Sequence, residues 1–237
     1  TKYASALLAT PGKSVYLDLG GSSVRALYAT LNFLYAVVDS TFYQIDASLN
    51  VKNQGTLNTN TGLCQMTSNF TQIGIVDGTN NLYSYDIPSD VFAATAIPDN
   101  ETARTITFQD AYGIFTLDNS TSFQITGASD FTAMDILDRG SVSSSALINE
   151  LVTVASHNLE LWLFGTTRTE IWRNVGGTGF TYARAAGIYI EMGCAARDSV
   201  EVMDNSIYWL ARDEKGTSYV CMGDGYRPVV VSTEALQ

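Results

Sequence analysis

Hydrophobic and polar positions alternate along this chain in short bursts, and the bursts come in pairs around a polar turn. Five pairs can be read: FLYAVVDSTFYQID (33–46), QIGIVDGTNNLYSYD (72–86), YGIFTLDNSTSFQIT (112–126), ELWLFGTTRTEIWRN (160–174) and SIYWLARDEKGTSYVC (206–221). Period-two alternation marks a strand with one face on a packed sheet, and turns rich in Asp, Asn, Gly and Ser close hairpins. The turn positions Asp39, Asp77, Asp118, Thr166 and Asp213 recur at intervals of 38, 41, 48 and 47 residues, the period of a propeller blade. A strand with weaker alternation precedes each hairpin, at 24–29, 63–67, 105–108, 151–156 and 199–203, and an edge strand or loop follows it. Four strands of about five or six residues plus turns fill such a period. The pattern predicts an all-β fold, a β-propeller of four-stranded antiparallel blades, about five of them recognisable, with 1–237 as a single propeller domain. A β-sandwich also gives short, evenly spaced strands, but a Greek key has no reason to repeat whole strand, hairpin, strand units.

Three stretches depart from the rhythm. Before the first blade, strand-like 6–10 and 14–19 flank Pro11-Gly12 and are expected to supply part of a further blade or a closing strand, because an open ring leaves unpaired sheet edges. The segment 130–149, with Asp135, Asp138, Arg139 and a Ser-rich run, reads as a long loop, either an inter-blade connection or a binding loop. The segment 175–191 reads as a glycine-rich loop in place of an ordinary connection, with Phe180 and Tyr182 folded back onto the propeller surface. Gly176, Gly177 and Gly179 lack the Lys-Ser/Thr and the helix of a phosphate loop.

Composition narrows the functional classes. Hydrophobic residues make up 46% of the chain and charged ones 16%, enough for a core at 237 residues. No run reaches the eighteen or so apolar residues of a membrane span, and the N-terminus lacks signal-peptide architecture, so neither a membrane nor a secreted protein is expected. The start at Thr1 without methionine predicts a fragment or processed product of a longer chain. A net charge of −11 argues against sequence-specific nucleic-acid binding, which draws affinity from neutralising phosphates.

The chemical inventory is sparse. Cys64, Cys194 and Cys221 are spaced for neither a disulfide framework nor a zinc site and read as small buried side chains of a reducing compartment. Asn69, Asn100 and Asn119 open Asn-x-Ser/Thr triplets, read here as composition and not as glycosylation sites. The lone histidine, His157, sits in a polar SHN tip and reads as an exposed loop residue, which leaves no Ser-His-Asp arrangement and no histidine-rich metal site. Asp77, Asn80 and Asn81 hint at calcium but lack a bidentate glutamate, so a hairpin turn is the better reading. No catalytic, cofactor-binding or metal-binding residue is assigned, and no interface residue stands out.

In the last two units the residues become specific. FGTTRTEIW (164–172), the glycine-rich loop, MGCAA (192–196), IYWLARD (207–213) and the ending GYRPVVVSTEALQ make the stretch 159–237 resemble the packaged-DNA stabilisation proteins, or tail hubs, of short-tailed P22-like bacteriophages. The family's ending reads Gly-Tyr-x-Pro-x-x-Ile-Ser-Thr-x-Ala-Ile-Glu; here Val231 and Leu236 replace the isoleucines and Gln237 the glutamate, which preserves the apolar strand face. LLATPGKSVYLDL (7–19) is similar to the family's early proline-glycine strand, while blades one to three match in rhythm more than in residues. Family members run to roughly twice this length. The resemblance implies a structural virion protein of the tail, assembled late in the host cytoplasm as a ring of six copies beneath the portal and its adaptor protein. Such a ring extends the portal channel, retains the packaged DNA, and holds the tail needle or plug and the tailspikes. No enzyme activity and no cofactor are implied, and an acidic conduit wall that repels phosphate would let DNA slide.

Two other readings compete. A carbohydrate-binding or glycan-cleaving tail propeller would show paired carboxylates beside exposed Trp or Tyr at the channel mouth. A hub predicts polar loops there, contact surfaces at the sides, and core positions for Trp162, Trp172 and Trp209. A general protein-binding scaffold is compatible with the fold, since propellers host many functions.

Overall fold

In the computed structural model, residues 14–142, 150–177 and 179–232 are described, and they form five antiparallel sheets in sequence order. Blade 1 comprises β1 Val24–Ala29, β2 Phe33–Val38, β3 Thr41–Asp46 and β4 Val51–Thr56. Blade 2 comprises β5 Gln65–Ser68, β6 Gln72–Val76, β7 Asn81–Asp86 and β8 Val91–Ala96. Blade 3 comprises β9 Ala103–Gln109, β10 Tyr112–Leu117, β11 Ser122–Ile125 and β12 Arg139–Ser141. Blade 4 comprises β13 Leu151–His157, β14 Glu160–Gly165, β15 Thr169–Asn174 and β16 Tyr182–Ile190. Blade 5 opens with two short strands, β17 Gly193–Cys194 and β18 Glu201–Met203, both paired to β19 Ser206–Arg212, and continues through β20 Ser218–Asp224 to β21 Arg227–Val230. The five repeated turns are the central β2–β3 type hairpins, with Asp39 at φ 49° in the first.

Because side chains alternate across a strand, each blade offers one apolar face to the blade before it and another to the blade after it. Ile73, Ile75, Tyr83 and Tyr85 of blade 2 bury against Tyr35, Val37 and Phe42 of blade 1. Its opposite face sends Val76 and Leu82 against Ile106, Phe115 and Leu117 of blade 3. Ile114, Phe123 and Ile125 then meet Leu161, Leu163 and Trp172 across the third seam. Trp162, Phe164 and Ile171 meet Ile207, Trp209 and Cys221 across the fourth. Among the described residues no buried cluster joins blade 5 to blade 1. The far face of blade 1 is instead covered by Leu17 and Leu19, which pack near Ala36, Val38 and Ile45. On the far face of blade 5, Met203, Val220 and Val229 remain exposed.

The three departures resolve differently from the sequence expectation. Residues 6–10 lie outside the described part. Residues 14–19 form no strand: Leu17 and Leu19 serve as a cover for one blade face and make no ladder. The segment 130–149 is not all loop, because Arg139–Ser141 is the outer strand of blade 3; three residues with a central glycine carry no alternation to reveal it. Residues 143–149 of that segment, with most of its Ser-rich run, fall outside the described residues.

The same segment drives Phe131 between blades 2 and 3. The ring is fully buried, its backbone N–H donates to Gln72 Oε1 at 2.9 Å, and it occupies space that a side chain at Gly74 or Gly113 would need. A Cβ at either glycine would approach the ring to 2.9 or 2.7 Å. In 175–191 only the first residues are loop, since Tyr182–Ile190 is the outer strand of blade 4. Tyr182 is buried and its hydroxyl donates to the Gln109 carbonyl at 3.2 Å. Phe180 packs edge-on to Phe123 with ring centres 5.6 Å apart, so these aromatics fill the third seam and do not merely lie on the surface.

Candidate functional site

The strands that begin the blades, β1, β5, β9, β13 and β18, converge on a central channel of about 480 Å³, lined by residues such as Leu27, Met66, Thr107, Val154 and Val202. One mouth of the channel collects the segments that lead into these strands, and the other collects the turns that follow them.

At the mouth where the inner strands start, charge and hydrogen bonding dominate. Arg104 Nε meets Asp118 Oδ2 at 2.8 Å, Arg197 Nη2 lies 3.9 Å from Asp118 Oδ1, and Glu150 lines the same depression of about 290 Å³. Gln65 spans blades: its Oε1 accepts from the Ile106 N–H at 3.1 Å and its Nε2 donates to Asp198 Oδ1 at 3.2 Å. Arg25 stands at a bulge in β1, 2% exposed, and pins the 57–64 connection. Its guanidinium donates to the carbonyls of Gly62, Asp39 and Thr59 at 2.6, 2.8 and 2.7 Å and to Thr59 Oγ1 at 2.6 Å. Thr59 passes its hydroxyl proton side to Asp77 Oδ2 at 2.5 Å, and Asp77 Oδ1 accepts from the Thr79 N–H and hydroxyl. Asp77 is therefore a buried turn carboxylate with its oxygens engaged, while Asn80 bonds Asn100; the hairpin reading of this trio holds. Among the described residues no group of three or more His, Cys, Asp or Glu is placed to hold a metal ion.

At the mouth where the inner strands end, the lining changes. A depression of about 750 Å³ is walled by Tyr28, Phe33, Phe70, Ile87 and Phe108 together with Thr, Ser and Asn side chains, and none of its lining residues is charged. Leu31 and Phe70 stand at its rim in the turns after β1 and β5, 98% and 87% exposed. The turns at this end are mixed: Asp110 and Asp204-Asn205 are the polar tips of blades 3 and 5, beside the apolar tips of blades 1 and 2. Sequence reading missed the apolar tips because a single apolar residue inside a polar turn breaks no pattern.

His157 lies at the end of β13 with its Nε2 3.0 Å from Asn158 Nδ2, lining a depression with Glu160, Asp224 and Tyr226. Glu160 is committed: its Oε1 accepts from Arg173 Nε and Nη2 at 2.9 and 2.5 Å and from the Tyr226 hydroxyl at 2.5 Å. That carboxylate raises the pKa of the Tyr226 phenol. Trp162, Trp172 and Trp209 are all buried, so none stands at a mouth as a sugar platform. Burial likewise pushes the Cys64 thiol up to about 11 and raises those of Cys194 and Cys221, which leaves three free, buried, unreactive side chains. Asn69 is buried with Oδ1 accepting from the backbone N–H of Thr71 and of Gln72, a turn brace with no room for a glycan.

The segments that carried the family resemblance meet at the fourth seam. Gly193 lets the chain approach the 165–167 backbone so closely that a Cβ there would lie 2.3 Å from Thr167 N, and its carbonyl accepts from Trp209 Nε1 at 3.0 Å. Tyr226, in the turn before β21, returns to Glu160 and Arg173 of blade 4. Among the described residues no helix is long and apolar enough to cross a membrane.

No curated protein matches the chain. Solved structures share its fold at low identity. The N-terminal domain of Nup159 superposes with a TM-score of 0.52 at 10% identity, over 90% of this chain and 63% of that one. The Neurospora crassa Pan2 WD40 domain gives 0.55 at 8%, over 89% and 66%. The computationally designed Ika8 protein gives 0.54 at 12%, over 84% and 58%. The chain thus spans less than two thirds of the length of each of these structures. At the level of family, the model for the β-propeller of bacteriophage P22 Gp10 matches residues 6–237, and this chain accordingly belongs to that family of phage structural propellers.

Proposed function

We propose that the protein is a structural component of a phage tail hub. In this reading it extends and helps close the portal channel, so stabilising packaged DNA, and anchors other tail proteins. Full-length copies form a ring, six in number, against the portal-adaptor protein and hold the tail needle or plug and the tailspikes. Assembly takes place in the host cytoplasm, and the product resides in the virion tail. The observation that carries the reading is the family match over residues 6–237. Four continuous seam cores support it, since a propeller packed this way transmits load as a block. The net charge of −11 supports a conduit surface that does not retain DNA. The test is DNA retention: filled heads assembled without the protein expose their DNA to added nuclease, and adding the full-length protein restores protection. Equal protection with and without it would remove the stabilising role.

A further inference from the structure

We propose that residues 195–200 form a strap that closes one mouth of the central channel and lifts off it as a unit. Blades 1 to 4 each open with one inner strand, whereas blade 5 opens with two short ones. Cys194 pairs with Ala211 and Glu201 with Tyr208, so the six residues between face only Trp209 and Leu210, and the surplus must leave the ladder. They leave toward the channel. Asp198 Oδ1 accepts from Gln65 Nε2 of blade 2 at 3.2 Å, and Arg197 Nη2 lies 3.9 Å from Asp118 Oδ1 of blade 3. Blade 5 packs on blade 4, and blade 4 on blade 3, so contacts from blade 5 to blades 2 and 3 are made over the opening.

The strap is tied firmly to its own blade and lightly to the far side. Its ends are anchored in the fourth seam, where Cys194 is buried and Val200 packs against the same core. The Ala195 N–H donates to the Leu210 carbonyl at 2.8 Å, the Leu210 N–H to Ser199 Oγ at 3.1 Å, and the Ser199 hydroxyl to the Ala196 carbonyl at 2.6 Å. These bonds preserve its shape whether or not it touches the far side. None of its six residues is buried, and Asp198 is exposed. Its ties to blades 2 and 3, the Gln65 bond and the long Arg197–Asp118 ion pair, join groups in contact with water, and each is weak. A segment held in this way lies at the low end of local stability and opens without the fold around it. Gln65 is set to receive it: its Oε1 accepts from the Ile106 N–H at 3.1 Å, which turns the amide donor toward Asp198. With the strap down, the propeller's own channel is a recess entered from the opposite mouth. In the hub reading, DNA then passes between copies and not through one. The strap itself is decided on the isolated chain, so it stands or fails apart from that reading.

Trypsin supplies the test, because Arg197 is a cleavage site inside the strap while the substitution that releases it lies in another blade. Gln65→Glu keeps an acceptor for the Ile106 N–H and sets a second carboxylate against Asp198. In the purified native chain it should speed cleavage after Arg197 by about tenfold, the factor by which losing one hydrogen bond shifts a local opening. Cleavage after Lys215, in the exposed β19–β20 turn, should keep its rate and so report that the blade remains folded. Adding Asp198→Asn to Gln65→Glu restores the bond with donor and acceptor exchanged, and should return cleavage after Arg197 to the rate of Asp198→Asn alone. Fragment masses resolve the two sites. Cleavage after Arg197 that Gln65→Glu leaves unchanged overturns the proposal. So does equal acceleration after Lys215, which would mean that blade 5 opens as a whole, or a second substitution that fails to restore the rate.

Discussion

Phe131 and Arg25 show how single residues make a repeat cohere. Phe131 comes from a connection, yet it fills the seam between blades 2 and 3, and two strand glycines are small to admit it. Phe131→Ala should cost about 3–5 kcal/mol, the range for removing a buried aromatic ring, read by denaturant unfolding. Arg25 satisfies three acceptors of the 57–64 connection and the Asp39 carbonyl of the β2–β3 turn at once, so Arg25→Met leaves buried carbonyls unpaired and should cost about 2–3 kcal/mol by the same measurement. Turn aspartates give the molecule its pH dependence. Backbone and hydroxyl donors of Ser22 hold Asp39 below the usual carboxylate range, Asn50 does so for Asp46, Ser89 for Asp86 and Lys52 for Asp90. A depressed folded pKa means that the contribution is complete above the unfolded value and is lost as pH falls through the folded one. Tm should therefore be flat between roughly pH 5 and 7 and fall below about pH 4, where unfolded aspartates begin to take up protons that the folded chain refuses. A Tm that rises on acidification below pH 4 would contradict this assignment.

At the scale of elements, the inner strand and central hairpin of each blade were legible in the sequence, and the outer strand was not. β1 coincides with the stretch of weak alternation at 24–29, and the other inner strands fall within two residues at most of their expected starts. Both faces of these central strands are buried against neighbouring blades, which imposes a strong pattern on them. Outer strands such as β12 and β16 bury less and tolerate Arg-Gly-Ser or a glycine-rich approach, so the pattern fades. The two-part opening of blade 5 escaped notice for another reason: Gly193-Cys194 is shaped by close approach to the 165–167 backbone, and no periodicity encodes such an approach. Gly193→Ala should cost about 1–3 kcal/mol or more, the overpacking range, because the atoms it meets are main chain and cannot rotate away. Unfolding curves for this variant and for Gly176→Ser, where the space is open, separate overpacking from loss of glycine itself. Of the candidate site, the core positions of Trp162, Trp172 and Trp209 were readable, whereas the gathering of Phe33, Phe70 and Phe108 in one depression arises only when segments distant in sequence converge.

For the whole molecule, the four seams whose buried cores lie among the described residues, and the exposed far face of blade 5, imply a gradient of stability. Amide exchange should be slowest in β6, β7, β14 and β15, which are buried on both faces, and faster in β20 and β21, whose far face carries exposed Val220 and Val229. Mass-spectrometric exchange measurements on the purified chain check this, and uniform protection across blade 5 would show a closure beyond the seams described. The role of the block lies at a larger scale still, in the ring it is proposed to build. Electron microscopy of the full-length protein mixed with the portal and its adaptor protein tests that most directly. The account predicts a ring of propeller-bearing subunits that prolongs the portal channel, with DNA-facing surfaces that are acidic; a protein that stays monomeric beside an unextended portal would contradict it.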